Sequence, residues 1–256
     1  NVICTPHLGA STVEAQVNVA VEIARQIGDY LTKNEIRNAV NIPNIDSNTM
    51  SVMRPYINLA KKIGDLYRQF ANINIHKIEI DYAGEVYNLP INPITHSLLI
   101  GLLSDIAEGI NFVNAPIVAK DRGIEIIETN NSVSKDYASQ ITLTTYHKEG
   151  KTIIKGAVFK EGLIRIVGID NFSVDFIPEG NLLLTINEDK PGFIGSIGTI
   201  LGNAGLNIAN MELGRDILKK EALSFIQIDG DIPDSLIEEM KKNIPTLKKV
   251  FKIKMD

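Results

Sequence analysis

Residues 182–215 read LLLTINEDKPGFIGSIGTILGNAGLNIANMELGR, and this stretch decides the fold of the C-terminal part of the chain. Its apolar opening over 182–187 predicts a buried strand. Pro191 suits the first turn of a helix that extends to about residue 203, because its missing N–H would have no partner there. A second strand is predicted over 206–213. The stretch is therefore a strand, a helix and a strand in close succession.

The residues that follow complete a recognisable order of elements. A strand is predicted over 222–228, a helix over 234–243 and a last strand over 248–254. The order βαββαβ is that of a ferredoxin-like split unit. The first helix carries glycines at helical spacing, and the chain contains no Gly-x-Gly-x-x-Gly segment and no P-loop. Gly195, Gly198 and Gly202 therefore predict close packing of that helix against a neighbour.

Upstream of this unit the pattern changes to a mixed α+β domain. Helices are predicted over 49–71, from Asn92 to about Gly109, and in a short segment that ends at Gly123. An alternating strand lies near 77–82. Three more strands are predicted over 140–147, 152–159 and 163–169, joined by glycine-containing hairpin turns. Polar linkers near Pro43 and Pro178 separate this domain from its neighbours.

The N-terminal segment is a loop followed by one helix. Apolar residues recur at helical spacing over 12–33, and Ser11 with Glu14 fits a capping box at the start. His7 lies in the loop just before this helix. Free N–H groups at a helix start favour an anion. The position therefore suits a general acid/base that faces an anionic substrate, and it equally suits a loop histidine without a catalytic role.

Composition limits the classes of function. The chain has 256 residues, of which 44% are hydrophobic and 22% charged, with a formal net charge of −5. This balance predicts a soluble protein with no nucleic-acid partner and no membrane span. No signal peptide and no metal site are predicted. The one cysteine, Cys4, cannot form an intrachain disulfide; it fits a reducing cytoplasm, and we expect it to be a small buried apolar residue.

Four segments, in the same order, resemble one enzyme family. TPHLGASTVEAQ (5–16) resembles the segment that carries the catalytic histidine of NAD-dependent D-2-hydroxyacid dehydrogenases, in the form found in D-3-phosphoglycerate dehydrogenases. RPYINLAKKIG (54–64) and VNAPIVAKDRGI (113–124) resemble the intervening domain of the long form. Residues 188–215 resemble its C-terminal ACT domain.

The resemblance implies a multidomain α/β chain with three parts. Residues 1–42 would be the C-terminal tail of the catalytic domain, 43–180 the intervening domain and 181–256 the regulatory ACT domain. In the first part, His7 would be the general acid/base that handles the proton of the substrate hydroxyl. Gly9 and Ala10 would be backbone positions near the nicotinamide of NAD.

The resemblance also implies an L-serine effector site in the ACT domain. The matching polar positions are Asn187, Asp189 and Asn207, and the backbone N–H groups at the Pro191–Gly192 helix start could bind the effector carboxylate. Read without the family, the same residues are ordinary turn and strand-end residues.

A second, anionic effector site is implied in the intervening domain. Arg165 matches one of its basic positions. The family's further basic residues are missing from the segment NFSVDFIPEG (171–180) that follows.

The function implied is that of the regulatory and oligomerisation part of an NAD-dependent D-3-phosphoglycerate dehydrogenase. The intact cytoplasmic enzyme would oxidise 3-phosphoglycerate to 3-phosphohydroxypyruvate, the first step of L-serine biosynthesis, as a homo-oligomer. The glutamate and arginine that work beside the catalytic histidine, and the dinucleotide fold, are not in this sequence. We therefore expect this chain alone to be inactive and not to bind NAD.

Two alternatives belong to other classes. One is a stand-alone ACT regulator that binds an amino acid and has no enzymatic activity. The other is a different ACT-bearing enzyme, such as a serine dehydratase; it ranks last because the chain has one cysteine and no Schiff-base lysine motif.

Overall fold

The structure is a computed structural model that describes residues 2–6, 9–33, 38–39, 45–71, 74–105 and 109–255. The chain divides into two compact units, Asn1–Asp46 and Ser47–Asp256.

The first unit contains one helix, α1 (Val13–Lys33), where a helix is predicted. Its capping residue is Thr12, whose hydroxyl accepts a hydrogen bond from the Ala15 N–H at 3.2 Å. The predicted cap at Ser11 was therefore wrong by one position. Cys4 is exposed, which contradicts the expectation that it is buried.

The second unit contains the remaining helices and all ten described strands. Its helices are α2 (Ser47–Phe70), α3 (Asn92–Leu103), α4 (Ala115–Asp121), α5 (Phe193–Asn203) and α6 (Asp234–Asn243). Its first six strands are β1 (Ile75–Gly84), β2 (Glu125–Asn131), β3 (Ser139–His147), β4 (Gly150–Val158), β5 (Ile164–Ile169) and β6 (Phe172–Phe176). The last four are β7 (Gly180–Glu188), β8 (Asn207–Asp216), β9 (Glu221–Asp229) and β10 (Leu247–Met255).

The first six strands form one sheet in the order β2-β1-β3-β4-β5-β6. β1 and β2 are parallel and are connected through α3 and α4, whereas the other pairs are antiparallel. α2 packs on this sheet. A Cβ at Gly156 of β4 would lie 2.6 Å from Leu59 of the helix. This sheet and its helices form the mixed α+β domain that the sequence predicts. The strands β2 and β6 are present in the structure but were not predicted.

The helices α2 and α3 meet backbone to backbone at two glycines. A Cβ at Gly64 would lie 2.3 Å from the Leu98 carbonyl oxygen, and one at Gly101 would lie 2.3 Å from the Lys61 carbonyl oxygen. Real Cβ atoms do not approach so closely. Only glycine therefore permits this helix crossing.

The last four strands form an antiparallel sheet in the order β10-β7-β9-β8. α5 and α6 cover one face, so the predicted βαββαβ order is confirmed. The core between helices and sheet is mainly apolar, and its apolar members include Leu183, Phe193, Ile197, Leu201, Ile226, Leu236 and Met240.

The other face of this four-stranded sheet packs against the six-stranded sheet and α2. The rings of Phe225 and Phe176 stack with centroids 3.8 Å apart, and Phe251 meets Phe70 edge-on at 6.2 Å. A Cβ at Gly214 would lie 2.6 Å from the Ser173 carbonyl oxygen. Both faces of the smaller sheet are therefore covered by this chain.

The two edges of the smaller sheet differ. At β10, the Gln69 side chain accepts a hydrogen bond from the Lys254 N–H at 2.7 Å and donates one to the Lys254 carbonyl at 2.9 Å. One amide of α2 thus occupies the position of a neighbouring strand. At β8, no strand from the described part of the chain pairs with the outer edge.

Candidate effector site

The loop between β7 and α5 brings four of the predicted effector residues together. Asn187 ends the buried part of β7, Asp189 follows it, and Pro191 with Gly192 leads into α5. Gly192 has a φ of 94°, which a side chain would disfavour. No described atom lies within 4 Å of the place where its Cβ would be. The start of α5, with its unpaired N–H groups, is therefore open to a small ligand.

Asn187 points a polar group into a buried environment. Its side chain is only 2% exposed. The amide nitrogen donates to the Glu188 carbonyl at 2.6 Å, whereas Oδ1 has no hydrogen-bond partner among the residues described. A buried acceptor without a partner is costly. This oxygen is thus a candidate to accept a hydrogen bond from a ligand.

Asp189 is already paired in the structure. Its Oδ2 lies 2.6 Å from Nη2 and 2.7 Å from Nε of Arg215, near the end of β8. Its N–H donates to the Lys220 carbonyl at 2.9 Å, which fixes the loop to the neighbouring turn. Sequence reasoning did not identify Arg215, although it is the last residue of the segment that resembles an ACT domain. The site therefore holds a cation beside the predicted carboxylate.

The acidic residue before Asp189 is also paired. Glu188 Oε2 lies 2.5 Å from Lys190 Nζ, and this hydrogen bond holds the pKa of the Glu188 carboxyl below its ordinary value. Both carboxylates of the loop are thus matched by neighbouring cations.

Asn207 does not join this site within one chain. It pairs with Asp229 across β8 and β9, and its amide donates to the Asp229 carboxylate at 2.7 Å. Asn187 instead pairs with Ala222, seven positions earlier along β9. At about 3.3 Å per residue, Ala222 and Asp229 are ~23 Å apart along β9, and Asn187 and Asn207 are separated by a similar distance along the strand direction. One effector cannot contact Asn187 and Asn207 of the same molecule.

The glycines of α5 are not packed as the sequence predicts. No described atom lies within 4 Å of a Cβ built at Gly195, Gly198 or Gly202. The expectation of close helix packing was therefore wrong for the described part of the chain. The buried side of α5 is formed instead by Phe193, Ile197, Ile200 and Leu201.

Arg165 lies on β5 beside a cleft of about 220 Å³. Its guanidinium lies 3.0 Å from the Asp175 carboxylate and over the Phe159 ring. Lys62 and Glu179 also line the cleft, so its lining contains two cations and one carboxylate. An anionic effector at Arg165 would have to compete with Asp175.

The remaining predicted residues belong to the first unit. His7 lies outside the described residues. Gly9 and Ala10 form an exposed turn before α1, and Gly9 has a φ of 48°. Within the described ranges, no three His, Cys, Asp or Glu side chains are grouped as a metal site. The described helices include none with the length and apolarity to cross a membrane.

Two family models match the chain. Residues 52–170 match the D-3-phosphoglycerate dehydrogenase intervening domain, and residues 182–245 match the ACT domain. The second range contains the β7–α5 loop, Asn207 and Arg215.

Curated relatives agree with these models. The chain is 41% identical over 244 residues to D-3-phosphoglycerate dehydrogenase of Synechocystis sp.. The aligned region covers 94% of the chain and 44% of that protein. It is 38% identical over 256 residues to D-3-phosphoglycerate dehydrogenase of Methanocaldococcus jannaschii. Here the aligned region covers 100% of the chain and 48% of that protein. The chain thus spans about half the length of the curated relatives it matches. Together, the two domain matches and these relatives show that the chain belongs to the D-3-phosphoglycerate dehydrogenase family, of which it contains the intervening and ACT domains.

Proposed function

We propose that this chain regulates an NAD-dependent D-3-phosphoglycerate dehydrogenase by binding L-serine at the β7–α5 loop. The observation that carries the proposal is the open start of α5 beside a buried, unpartnered amide oxygen of Asn187. An α-amino acid offers the complementary groups. Its carboxylate suits the unpaired N–H groups of the helix start, and its ammonium and hydroxyl are hydrogen-bond donors.

Asp189 is the proposed partner of the effector ammonium. In the structure its carboxylate is matched by Arg215 at 2.6 Å, and Arg215 is 61% exposed. An exposed ion pair contributes little to stability, so the ligand ammonium can share or replace the guanidinium at small cost. Arg215 can then bind the effector carboxylate. The pair thus keeps the site neutral in the absence of ligand.

We further propose that two copies pair through their β8 edges. The outer edge of β8 presents unpaired backbone groups, which is a ready template for a second strand. A two-fold axis makes the two β8 strands antiparallel, so the start of one lies beside the end of the other. Asn207 of the second copy then approaches the loop that holds Asp189. In this arrangement an effector contacts Asn187 of one copy and Asn207 of the other, although the two residues are ~23 Å apart within one chain.

For the intact protein we propose the family's activity. It would oxidise 3-phosphoglycerate in the cytoplasm as a homo-oligomer, with NAD accepting the hydride and His7 handling the hydroxyl proton beside Gly9 and Ala10. Residues 1–42, 43–180 and 181–256 are the proposed domains. The relative of M. jannaschii matches all 256 residues, including the first 42, and this favours an enzyme over a stand-alone ACT regulator.

Isothermal titration calorimetry of the chain with L-serine tests the effector site. We expect saturable binding, and Asp189→Ala should weaken it by about tenfold or more, because a charge-assisted hydrogen bond is lost. Asp234→Ala is the matched control, since Asp234 at the start of α6 forms a similar exposed ion pair with Lys252 of β10 at 2.7 Å. The absence of binding by a dimeric sample would contradict the sensor role.

The enzymatic proposal has a separate test in the coding sequence. We expect a strand–turn–helix with Gly-x-Gly-x-x-Gly within the region upstream of residue 1. If the upstream region encodes no such segment, the stand-alone regulator becomes the better proposal.

A further inference from the structure

The turn between β8 and β9 presents two large apolar side chains to solvent. Ile217 is 80% exposed and Leu218 is 96% exposed. Single exposed apolar residues are common, but two adjacent ones at the tip of a hairpin form a small hydrophobic surface. We name residues 216–220 the hairpin tip.

The hairpin tip is held in one conformation. Asp216 Oδ1 accepts hydrogen bonds from the Leu218 and Lys219 N–H groups, both at 3.0 Å. Its Oδ2 accepts a third from the Asn171 side chain of the intervening domain at 3.2 Å. The bond from Lys219, with those from Asn171 and Leu218, keeps the pKa of the Asp216 carboxyl below its ordinary value. Ile217 and Leu218 are thus fixed in their exposed positions.

The hairpin tip carries two lysines beside Asp216, whereas the other end of the β8–β9 hairpin carries two aspartates. Lys219 and Lys220 lie at the hairpin tip, and Asp229 and Asp231 lie at the other end, beside the start of β8. Neither Lys220 nor Asp231 forms an ion pair with another described residue. When two such hairpins meet antiparallel, the two lysines of each tip lie beside the two aspartates of the other hairpin. The charges therefore favour association with a second copy of this chain.

We infer that the hairpin tip of one copy docks on the turn between α5 and β8 of a second copy. This rests on the pairing of β8 edges proposed above. The midpoint of β8 lies between Met211 and Glu212. Pairing about this midpoint places Ile217 opposite Leu206 of the second copy and Leu218 opposite its Gly205. The docked tip would also bring Lys220 near Asp231.

The α5–β8 turn has room for these side chains. Gly205 has a φ of 72°, and no described atom lies within 4 Å of the place where its Cβ would be. Ala204 beside it is exposed, and Leu206 is partly buried against the core of the four-stranded sheet. Leu218 would therefore cover backbone and small side chains, while Ile217 would extend the apolar surface of Leu206.

Removal of the apolar contact is the first test. The double variant Ile217→Ser and Leu218→Ser should raise the dimer dissociation constant about tenfold or more, because each dimer contains the contact twice. Sedimentation equilibrium of the full 256-residue chain measures it. Val133→Ser is the control, since Val133 is 75% exposed on a loop of the intervening domain. A dissociation constant equal to that of the control would overturn the inference.

Complementary charge reversal tests the geometry. Lys220→Glu and Asp231→Lys should each weaken their own homodimer, because both contacts become repulsive. A mixture of the two variants should form heterodimers, in which both contacts are attractive again. Native mass spectrometry separates the species by mass. If the mixture pairs no better than the single variants, the tip does not dock on this turn.

These tests separate the inference from the proposed function. A dimeric chain whose dissociation constant resists all three changes retains the β8 pairing and the serine site, and only the docking of the hairpin tip fails. A chain that remains monomeric with and without serine contradicts the β8 pairing itself, and the docking with it.

Discussion

Gly64→Ala is expected to lower the free energy of unfolding of the Ser47–Asp256 unit by about 3 kcal/mol. The new methyl group would lie 2.3 Å from the Leu98 carbonyl oxygen and 2.6 Å from the Leu102 nitrogen. Both atoms are backbone, so no side-chain rotation can relieve the overlap. The helices α2 and α3 would have to separate, and the fully buried leucines of α3 would lose contacts with α2.

Urea unfolding followed by circular dichroism measures the effect. Gly101→Ala should have a cost of similar size, because its Cβ would lie 2.3 Å from the Lys61 carbonyl oxygen. Gly198→Ala is the matched control within a helix of the same unit, where no described atom lies within 4 Å. It should raise stability by up to about 1 kcal/mol through helix propensity. Equal effects at Gly64 and Gly198 would show that α2 and α3 do not meet this closely.

Phe225→Ala is expected to lower the free energy of unfolding by about 4 kcal/mol, which is within the range found when buried phenylalanines are replaced by alanine. Phe225 is 2% exposed and stacks on Phe176, with ring centroids 3.8 Å apart. The side chain lies on the face of the ACT sheet that rests on the intervening domain. We therefore expect the ACT domain of the variant to unfold first, as a separate transition.

Differential scanning calorimetry resolves such a separate transition. Phe159→Ala serves as the control, because Phe159 is 38% exposed and its ring meets Tyr137 at the surface. The Phe159→Ala substitution should lower the free energy of unfolding by less than about 1 kcal/mol. A single cooperative transition for Phe225→Ala, with the midpoint of the control, would contradict the role of the stacked rings in joining the two domains.

The ACT domain was the most predictable part of the fold. Each of its elements has a clear apolar period. The predicted start of the first helix was slightly early, because Pro191 precedes the N-cap Gly192 and the helix begins at Phe193. β6 was missed although Phe172, Val174 and Phe176 alternate in the way a strand requires. β2 was missed because Ile126 and Ile127 interrupt the alternation, and its pairing with β1 bridges a long stretch of sequence.

The site was predictable only in part. Asn187, Asp189 and Gly192 are neighbours in sequence, so their proximity follows directly. The separation of Asn207 follows from strand direction, because β7 and β8 are parallel and the start of one is far from the end of the other. The pairing of Arg215 with Asp189 depends on tertiary structure and has no local signal. The same holds for the exposed hairpin tip.

The Gln69 amide covers the C-terminal end of the β10 edge. A sheet with two free edges can add copies without end, and such head-to-tail growth leads to filaments. Here α2 supplies both hydrogen bonds of Lys254 from within the chain, so another strand would have to displace it. Gln69 therefore disfavours the addition of a strand at the C-terminal end of this edge. In the pairing that we propose, growth is then expected to stop at two copies joined through β8.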